Sequence, residues 1–450
     1  MKIIHLISGG DVGGAKTHVL SLLDGLGKTQ TVRLVCFTAG AFADDAKQMG
    51  IDTLVLDSGV RSSIRILRGM IQSEHFDIVH CHGSRANMIG AILKRTINIP
   101  IVTTVHSDYR LDYLGRPFHR LTYGTINTVA LRVFDYHIGV SDAMVQLLIS
   151  RGFDPQKLFS IYNGVEFPPQ KTALSREEYL SSIGVHFDEN TVVFGIAARL
   201  NPVKDIATLI RGFGKAAEKC PNIRLVIAGD GEERQMLGSL AKELCPENSV
   251  TFAGWVKDTD SFYNAIDVNM LTSLSEGSPY ALVEGARMRC ATIATAVGGI
   301  PYMMESGVTG LLFQPKDVDT LAAFMVRLVE NPAFRRQLGE NFYEKAERVY
   351  SAEATVSHQL DIYRTILRQT AAEKQKRRGV LICGAYGKGN AGDEAILKAI
   401  LRQLQHIDPD MPICVLSHNP KSTRLTHHVG AAYVFNPFSF LRVMRRSKLY

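Results

Sequence analysis

The sequence predicts an α/β protein built on two doubly wound parallel sheets, and three features predict it. Short apolar runs alternate with helix-length amphipathic segments from residue 3 onward, the pattern of parallel strands joined by crossover helices. The alternation pauses at Asn163-Gly164-Val165 and a stiff Pro168-Pro169 joint, and then restarts. A glycine-rich loop also separates the first apolar run from the first amphipathic segment, which is where such sheets hold phosphates.

Taken in order, Ile3, Ile4, Leu6 and Ile7 make the first strand, and Gly9-Gly10-Asp11-Val12-Gly13-Gly14 makes the loop. Val19, Leu22, Leu23 and Leu26 then fall at helical spacing. Further strands are expected at 32–37, 53–56, 78–81, 101–105 and 137–140, and a second series at 192–197, 224–228, 250–253, 268–271 and 292–294. Residues 371–379, Ala-Ala-Glu-Lys-Gln-Lys-Arg-Arg-Gly, read as a linker or an exposed helix end. Beyond them a strand at 380–383, a glycine loop, a helix near 394–404 and a strand at 413–416 begin one more unit. The expected domains are therefore 1–168, 169–370 and 371–450, three for a chain of 450 residues. The third is expected to be incomplete, because so short a segment cannot finish such a domain and the apolar stretch 435–441 has nothing left to cover it.

The composition, 46 % hydrophobic and 21 % charged, is that of a globular protein and excludes disorder, collagen and coiled coil. No run approaches the roughly 18 apolar residues of a membrane-spanning helix, and no basic leader precedes the strand at Lys2. A cytoplasmic location is expected. The seven cysteines, at 36, 81, 220, 245, 290, 383 and 414, show no Cys-x-x-Cys spacing and read as small core residues. The net charge of +7 is concentrated at one end: residues 371–450 hold 13 Lys+Arg against 5 Asp+Glu, which leaves residues 1–370 near neutral. Nucleic acid is accordingly not an expected partner. The basic tail suits an anionic substrate or lipid surface, although a solvated charged face accounts for it more simply.

The candidate chemistry lies at strand ends. The 9–14 loop precedes a helix whose free N–H groups would hold a phosphate, with a ligand-free tight turn as the alternative. The dinucleotide fingerprint fails, since Ser8 stands where its first glycine belongs and no acidic residue follows the second strand. A nicotinamide dehydrogenase is thereby disfavoured. Arg199 emerges at the end of the 192–197 strand and Lys204 opens the next helix, two cations suited to a diphosphate whose charge grows as its bond breaks. In Ser275-Glu276-Gly277-Ser278-Pro279-Tyr280-Ala281-Leu282-Val283-Glu284, Ser278 is the expected N-cap and Pro279 the first helical residue. Glu276 should then face the crevice and Glu284 lie on the helix, with the N–H groups of Gly277 to Tyr280 free for phosphate oxygens. His80 and His82 share one strand face. A metal reading of that pair lacks further ligands, and a cleft-edge or core role is expected instead.

The order Gly13-Gly14, Asn163-Gly164-Val165, Arg199 and Lys204, Gly229-Asp230-Gly231, Glu276 to Glu284, then Val297-Gly298-Gly299-Ile300-Pro301 resembles glycosyltransferase family four, retaining enzymes of the GT-B fold, over residues 1 to about 368. The resemblance implies two Rossmann-like domains facing a cleft, with the nucleotide sugar on the second. It also implies that Gly13 and Gly14 back onto the donor phosphates, that Arg199 and Lys204 neutralise the leaving group, and that Glu284 holds the ribose. Glu276 and His106 would then stand at the transferred sugar. No convincing carboxylate nucleophile or metal-binding Asp-x-Asp pair stands out, so electrostatic, metal-independent catalysis without a cofactor is expected. The expected partners are a nucleotide diphosphate sugar and a glycan or lipid-linked acceptor of the cell envelope. An epimerase, a phosphorylase or a non-catalytic sugar-nucleotide-binding subunit remain alternatives.

Two further segments add expectations. Arg110, Arg116, His119, Arg120 and Arg132, interleaved with Leu114, Phe118, Leu121 and Val129, would form a basic amphipathic face resting on anionic membrane, a pattern that Gly115, Pro117 and Gly124 interrupt. Residues 383–397, Cys-Gly-Ala-Tyr-Gly-Lys-Gly-Asn-Ala-Gly-Asp-Glu-Ala-Ile-Leu, resemble the opening of polysaccharide pyruvyl transferases. Only the amino end of that domain is represented, so this part is expected to be inactive.

Overall fold

The computed structural model describes residues 1–10, 14–106, 125–169, 173–376, 379–409, 411–444 and 447. The first apolar runs become β1 (Lys2–Ile7), β2 (Thr31–Cys36), β3 (Thr53–Val55), β4 (Ile78–His82), β5 (Ile101–Val105), β6 (Tyr136–Gly139) and β7 (Leu158–Ser160). They form one parallel sheet in the order β3-β2-β1-β4-β5-β6-β7. The strands β4 and β5 are buried along their whole length, as helices on both faces of a parallel sheet require.

A second parallel sheet follows, made of β8 (Val192–Ala197), β9 (Ile223–Ala228), β10 (Val250–Gly254), β11 (Val268–Leu271), β12 (Ala291–Thr295) and β13 (Leu311–Phe313), in the order β10-β9-β8-β11-β12-β13. Both orders reverse beside the first strand of the set, β1 against β4 and β8 against β11. That reversal opens a crevice at the carboxyl ends of the strands, the place where doubly wound sheets bind ligands. The core of the second sheet is Phe194, Ile196, Leu209, Phe213, Leu225 and Met325 with their neighbours, all but removed from solvent.

In the two large sheets two strands escaped the sequence reading, β7 and β13. Each is three residues long and pairs on one side only, which is too short for a periodic signal. The joint after Asn163 also differs from a single hinge, because the chain passes between the sheets twice. Val165 and Ser351 form a parallel bridge, the Val165 N–H donates to the Tyr350 carbonyl at 3.0 Å, and the Ala352 N–H donates back to Val165 at 2.7 Å. The helix Ala352–Lys376 then returns to the first sheet. A Cβ on Gly25 would stand 2.4 Å from a Val356 methyl, and His358 bonds the Ser160 carbonyl at 3.0 Å.

Residues 364–450 form a separate compact unit. Its strands β14 (Val380–Tyr386), β15 (Ile413–Ser417) and β16 (Gly430–Tyr433) pair in parallel in that order. Asn390 caps the helix Ala391–Ile407, which begins three residues before the expected start. The 435–441 stretch lies around the start of the helix Pro437–Met444; Phe440 packs against Leu381, Leu416 and Ala432, whereas Phe435 and Phe438 stay exposed. Cys383 is exposed too, unlike the core residue expected. Among the described residues, no helix is long and apolar enough to cross a membrane.

Candidate active site

A cleft of about 730 Å³ opens between the carboxyl ends of the two sheets and is lined by His106, Arg199, Lys204, Glu276, Glu284 and Trp255 among others. Lys204 reaches it from a 3₁₀ turn, Pro202–Lys204, instead of from the helix. The Asn201 side chain accepts the Lys204 N–H, and Asp205 takes a left-handed conformation (φ 46°) before the helix Ile206–Lys219 begins. That kink turns the lysine back over the crevice. Its Nζ donates to Glu276 Oε1 at 2.5 Å, and the Ser273 hydroxyl donates to the same oxygen at 2.6 Å. Arg199 is exposed on the same wall.

The Glu276 loop is held from behind by the Val297-Gly298-Gly299 turn, where only glycine fits. A Cβ on Gly298 (φ +53°) would stand 1.8 Å from the Glu276 carbonyl oxygen, and one on Gly299 would stand 1.9 Å from that of Gly277. The expected cap is displaced by one residue: Pro279 is the N-cap and Tyr280 the first helical residue. Ser278 is not free to cap, because its hydroxyl accepts the Asn163 N–H at 3.0 Å while Asn163 Nδ2 donates to the Ser278 carbonyl at 2.6 Å. Asn163, absent from the expected site, thus ties the joint to the loop and lines the cleft as well.

Glu284 sits deeper on the helix Tyr280–Arg287. Burial raises its pKa and the nearby Arg287 opposes that rise, with Asp260 reinforcing it. Arg287 itself is paired with Asp260 and donates to the Glu166 carbonyl at 3.2 Å. The Asp-x-Asp spacing occurs at Asp408/Asp410, whose second residue lies outside the described ones, and at Asp258/Asp260 and Asp317/Asp319. These carboxylates have other work: Asp258 and Asp317 cap helices and Asp260 pairs with Arg287.

The first-lobe wall is imidazole. His106 follows β5 and stands against the second lobe, since a Cβ on Gly277 would lie 3.6 Å from its carbonyl oxygen. Burial drives its pKa down to about 3, with the charge of His18 adding to the effect, and burial takes His18 down to about 4. Behind them His5, His80 and His82 cluster on adjacent strands, with ring nitrogens within 4.8 Å of one another. Five of their six nitrogens already have hydrogen-bond partners. The sequence pointed to His80 and His82 but not to His5 or His18, which lie alone in apolar runs. Lys16, on the first helix and paired with Asp45, was missed for the same reason.

Gly13 lies outside the described residues; Gly14 is the first residue of the helix Gly14–Gly27. Of the proposed membrane face, Arg110, Leu114, Arg116, Phe118, His119, Arg120 and Leu121 also lie outside them, and Val129 is exposed. Arg132 is described, and it stacks over Phe153 at 4.2 Å and donates to the Gly152 carbonyl.

Residues 12–167 match the model of Glycosyltransferase Family 4, and residues 182–345 that of Glycosyl transferases group 1. Both halves of a GT-B glycosyltransferase are present. The seam between the two matched halves, at 168–181, coincides with the first chain crossing, so each half contributes one wall of the glycosyltransferase cleft. An uncharacterized glycosyltransferase of Methanocaldococcus jannaschii is 29 % identical over 313 residues, covering 66 % of this chain and 77 % of that protein. The UDP-Gal:α-D-GlcNAc-diphosphoundecaprenol α-1,3-galactosyltransferase of Escherichia coli is 25 % identical, over 67 % of this chain and 80 % of its own. Among solved structures, Anabaena HepE in complex with UDP superposes with a TM-score of 0.69 at 22 % identity, covering 80 % of this chain and 99 % of its own, a likeness of fold.

Proposed function

We propose that this glycosyltransferase moves a hexose-type sugar, with retention and without a metal, from a nucleotide diphosphate donor to a cell-envelope glycan or lipid-linked acceptor. The observation that carries the reading is the facing of Lys204, Arg199, Glu276 and Glu284 with the uncharged His106 across one cleft. A UDP-sugar is the donor class favoured by the relatives, one named for UDP-Gal and one solved with UDP.

In this reading the diphosphate lies against Arg199 and Lys204, whose attraction grows as the sugar–phosphate bond breaks and negative charge collects on the leaving oxygen. The departing oxygen takes the acceptor's proton on the same face, so the new bond forms with retention. The Gly13-Gly14 loop and the Gly277 to Pro279 turn hold the phosphates, and Glu284 takes the ribose hydroxyls. Glu276 binds sugar hydroxyls. His106, kept neutral by burial, accepts a hydrogen bond from a hydroxyl of the sugar without repelling its developing positive centre. Residues 379–450 are read as the amino end of a polysaccharide pyruvyl transferase domain, and peripheral contact with anionic membrane on the cytoplasmic side is read from the basic and apolar residues between Arg110 and Arg132.

The test is release of nucleoside diphosphate from a panel of UDP-, GDP- and ADP-sugars by the purified chain, with Lys204→Ala beside it. Release that the substitution abolishes supports the transferase. Donor binding without release under any acceptor condition would replace it with a non-catalytic sugar-nucleotide-binding subunit.

A further inference from the structure

Behind the cleft lies a continuous chain of polar contacts that the transfer chemistry leaves unused. The Thr104 hydroxyl meets His80 Nε2 at 2.7 Å, and His80 Nδ1 meets the Tyr363 hydroxyl at 2.6 Å. That hydroxyl lies 3.3 Å from His5 Nε2, and His5 Nδ1 lies 3.0 Å from His82 Nε2. The His82 ring stacks on His80 at 4.2 Å and stands 5.8 Å from His106, which meets His18 edge-on at 5.4 Å. All of these side chains on β1, β4 and β5 are buried, and Tyr363 is fully so on the returning helix.

A neutral imidazole has one donor and one acceptor nitrogen, so with the buried Tyr363 O–H donating to one of its two histidines this chain admits two proton arrangements. If the Tyr363 O–H donates to His80, then His80 donates to Thr104, His5 donates to Tyr363 and His82 donates to His5. His82 Nδ1 is then a lone pair. If every bond is reversed, His82 Nδ1 carries a proton. Among the described residues, the Tyr363 hydroxyl is the hydrogen-bonded link joining the His80 half to the His5 half, whose rings also touch. The far end is under-satisfied, because His82 Nδ1, His106 Nε2 and His18 Nε2 are buried without a hydrogen-bond partner among the described residues. The hydrogen-bonded part of the chain acts as a unit in a dry interior and ends at His82, whose ring contact with His106 at 5.8 Å is the route by which it reaches the cleft wall.

We propose that the Thr104–His80–Tyr363–His5–His82 chain is a positioning device for His106, and that Tyr363, delivered by the helix that crosses back from the second sheet, is the positioning residue that locks its proton order. The consequence for turnover rests on the transferase reading of His106; the coupling itself does not. Tyr363→Phe keeps the ring and removes the link. It leaves His5 free to take either tautomer, and His82 with it.

The experiment labels the histidine ring nitrogens with ¹⁵N in the full chain and compares wild type, Tyr363→Phe and Ile362→Ala, a buried neighbour on the same helix with no polar atom in the chain. In Tyr363→Phe the His82 and His106 nitrogen signals should move, although residue 363 touches neither ring, and kcat should fall about tenfold, as when an orienting partner is removed, with donor KM held within about twofold. Ile362→Ala should lower the melting temperature without either change. If Tyr363→Phe does not fold, Thr104→Val removes the other hydroxyl of the chain and should move the same signals. Shifts confined to His5 and His80, or the same response in Ile362→Ala, would overturn the proposal. Shifts that reach His106 in a protein that transfers no sugar would uphold the network and remove the transferase reading instead.

Discussion

The two walls of the cleft follow opposite electrostatic rules. The second-lobe wall is ionic: Lys204 pairs with Glu276, Arg287 pairs with Asp260, and Arg199 is exposed to solvent. On the first-lobe side the neutral His106 lines the cleft beside the paired Lys16, and behind them burial holds His5, His18, His80 and His82 neutral too. Desolvated charges are costly unless paired, whereas a neutral imidazole can be buried at lower cost, as His5 and His80 are with both ring nitrogens hydrogen-bonded. The contrast suits a reaction in which negative charge leaves on one side and a positive centre appears on the other.

The sharpest way to break the contrast is acid. The folded-state pKa values of His5 and His106 are lowered to about 3 and those of His18 and His137 to about 4, below the unfolded value of about 6.5. The unfolded chain therefore binds more protons, so their contribution is complete above pH about 6.5 and is lost as pH falls from there toward the folded values. Each imidazole removes roughly 1.4 kcal/mol per pH unit across that window. Together they should remove a substantial share of the stability of a domain by pH 5, so the urea unfolding midpoint should fall steadily between pH 7 and 5. A midpoint unchanged over that range would contradict the neutral wall.

On the ionic wall, Lys204→Ala should lower kcat by roughly 10² to 10³, or about 2.7 to 4 kcal/mol, the cost of removing one donor aimed at developing charge. Donor KM should change far less, as steady-state kinetics would show. Asn163→Ala, which removes the side-chain bond from the joint to the Ser278 carbonyl and keeps the backbone one, should cost about 1 to 3 kcal/mol in urea unfolding. It should also raise donor KM, since the same loop borders the cleft. The smallest effect is expected for Glu284→Gln, which keeps the shape but weakens hydrogen bonding to the donor, with a rise in donor KM of about tenfold and kcat little altered. A larger loss in kcat than in binding would move Glu284 from the ribose to the reacting centre.

Much of this protein was determined along the chain. Apolar runs wide enough to be buried on both faces announced the central strands of both sheets, and the positions of Arg199, Lys204, Glu276 and Glu284 followed from their places after strands β8 and β11. Local sequence carries such features because strand burial and strand-end loops depend on residues within one turn or one pleat. Other features depend on residues far apart, and tertiary structure alone decided them. The edge strands β7 and β13 exist because a neighbouring strand offers them bonds. Ser278 lost its cap to Asn163, 115 positions away. His5 and Tyr363, 358 positions apart, meet only because the chain crosses between the sheets a second time. A buried polar group takes its role from whichever partner the fold brings to it, and no spacing in the sequence records that partner.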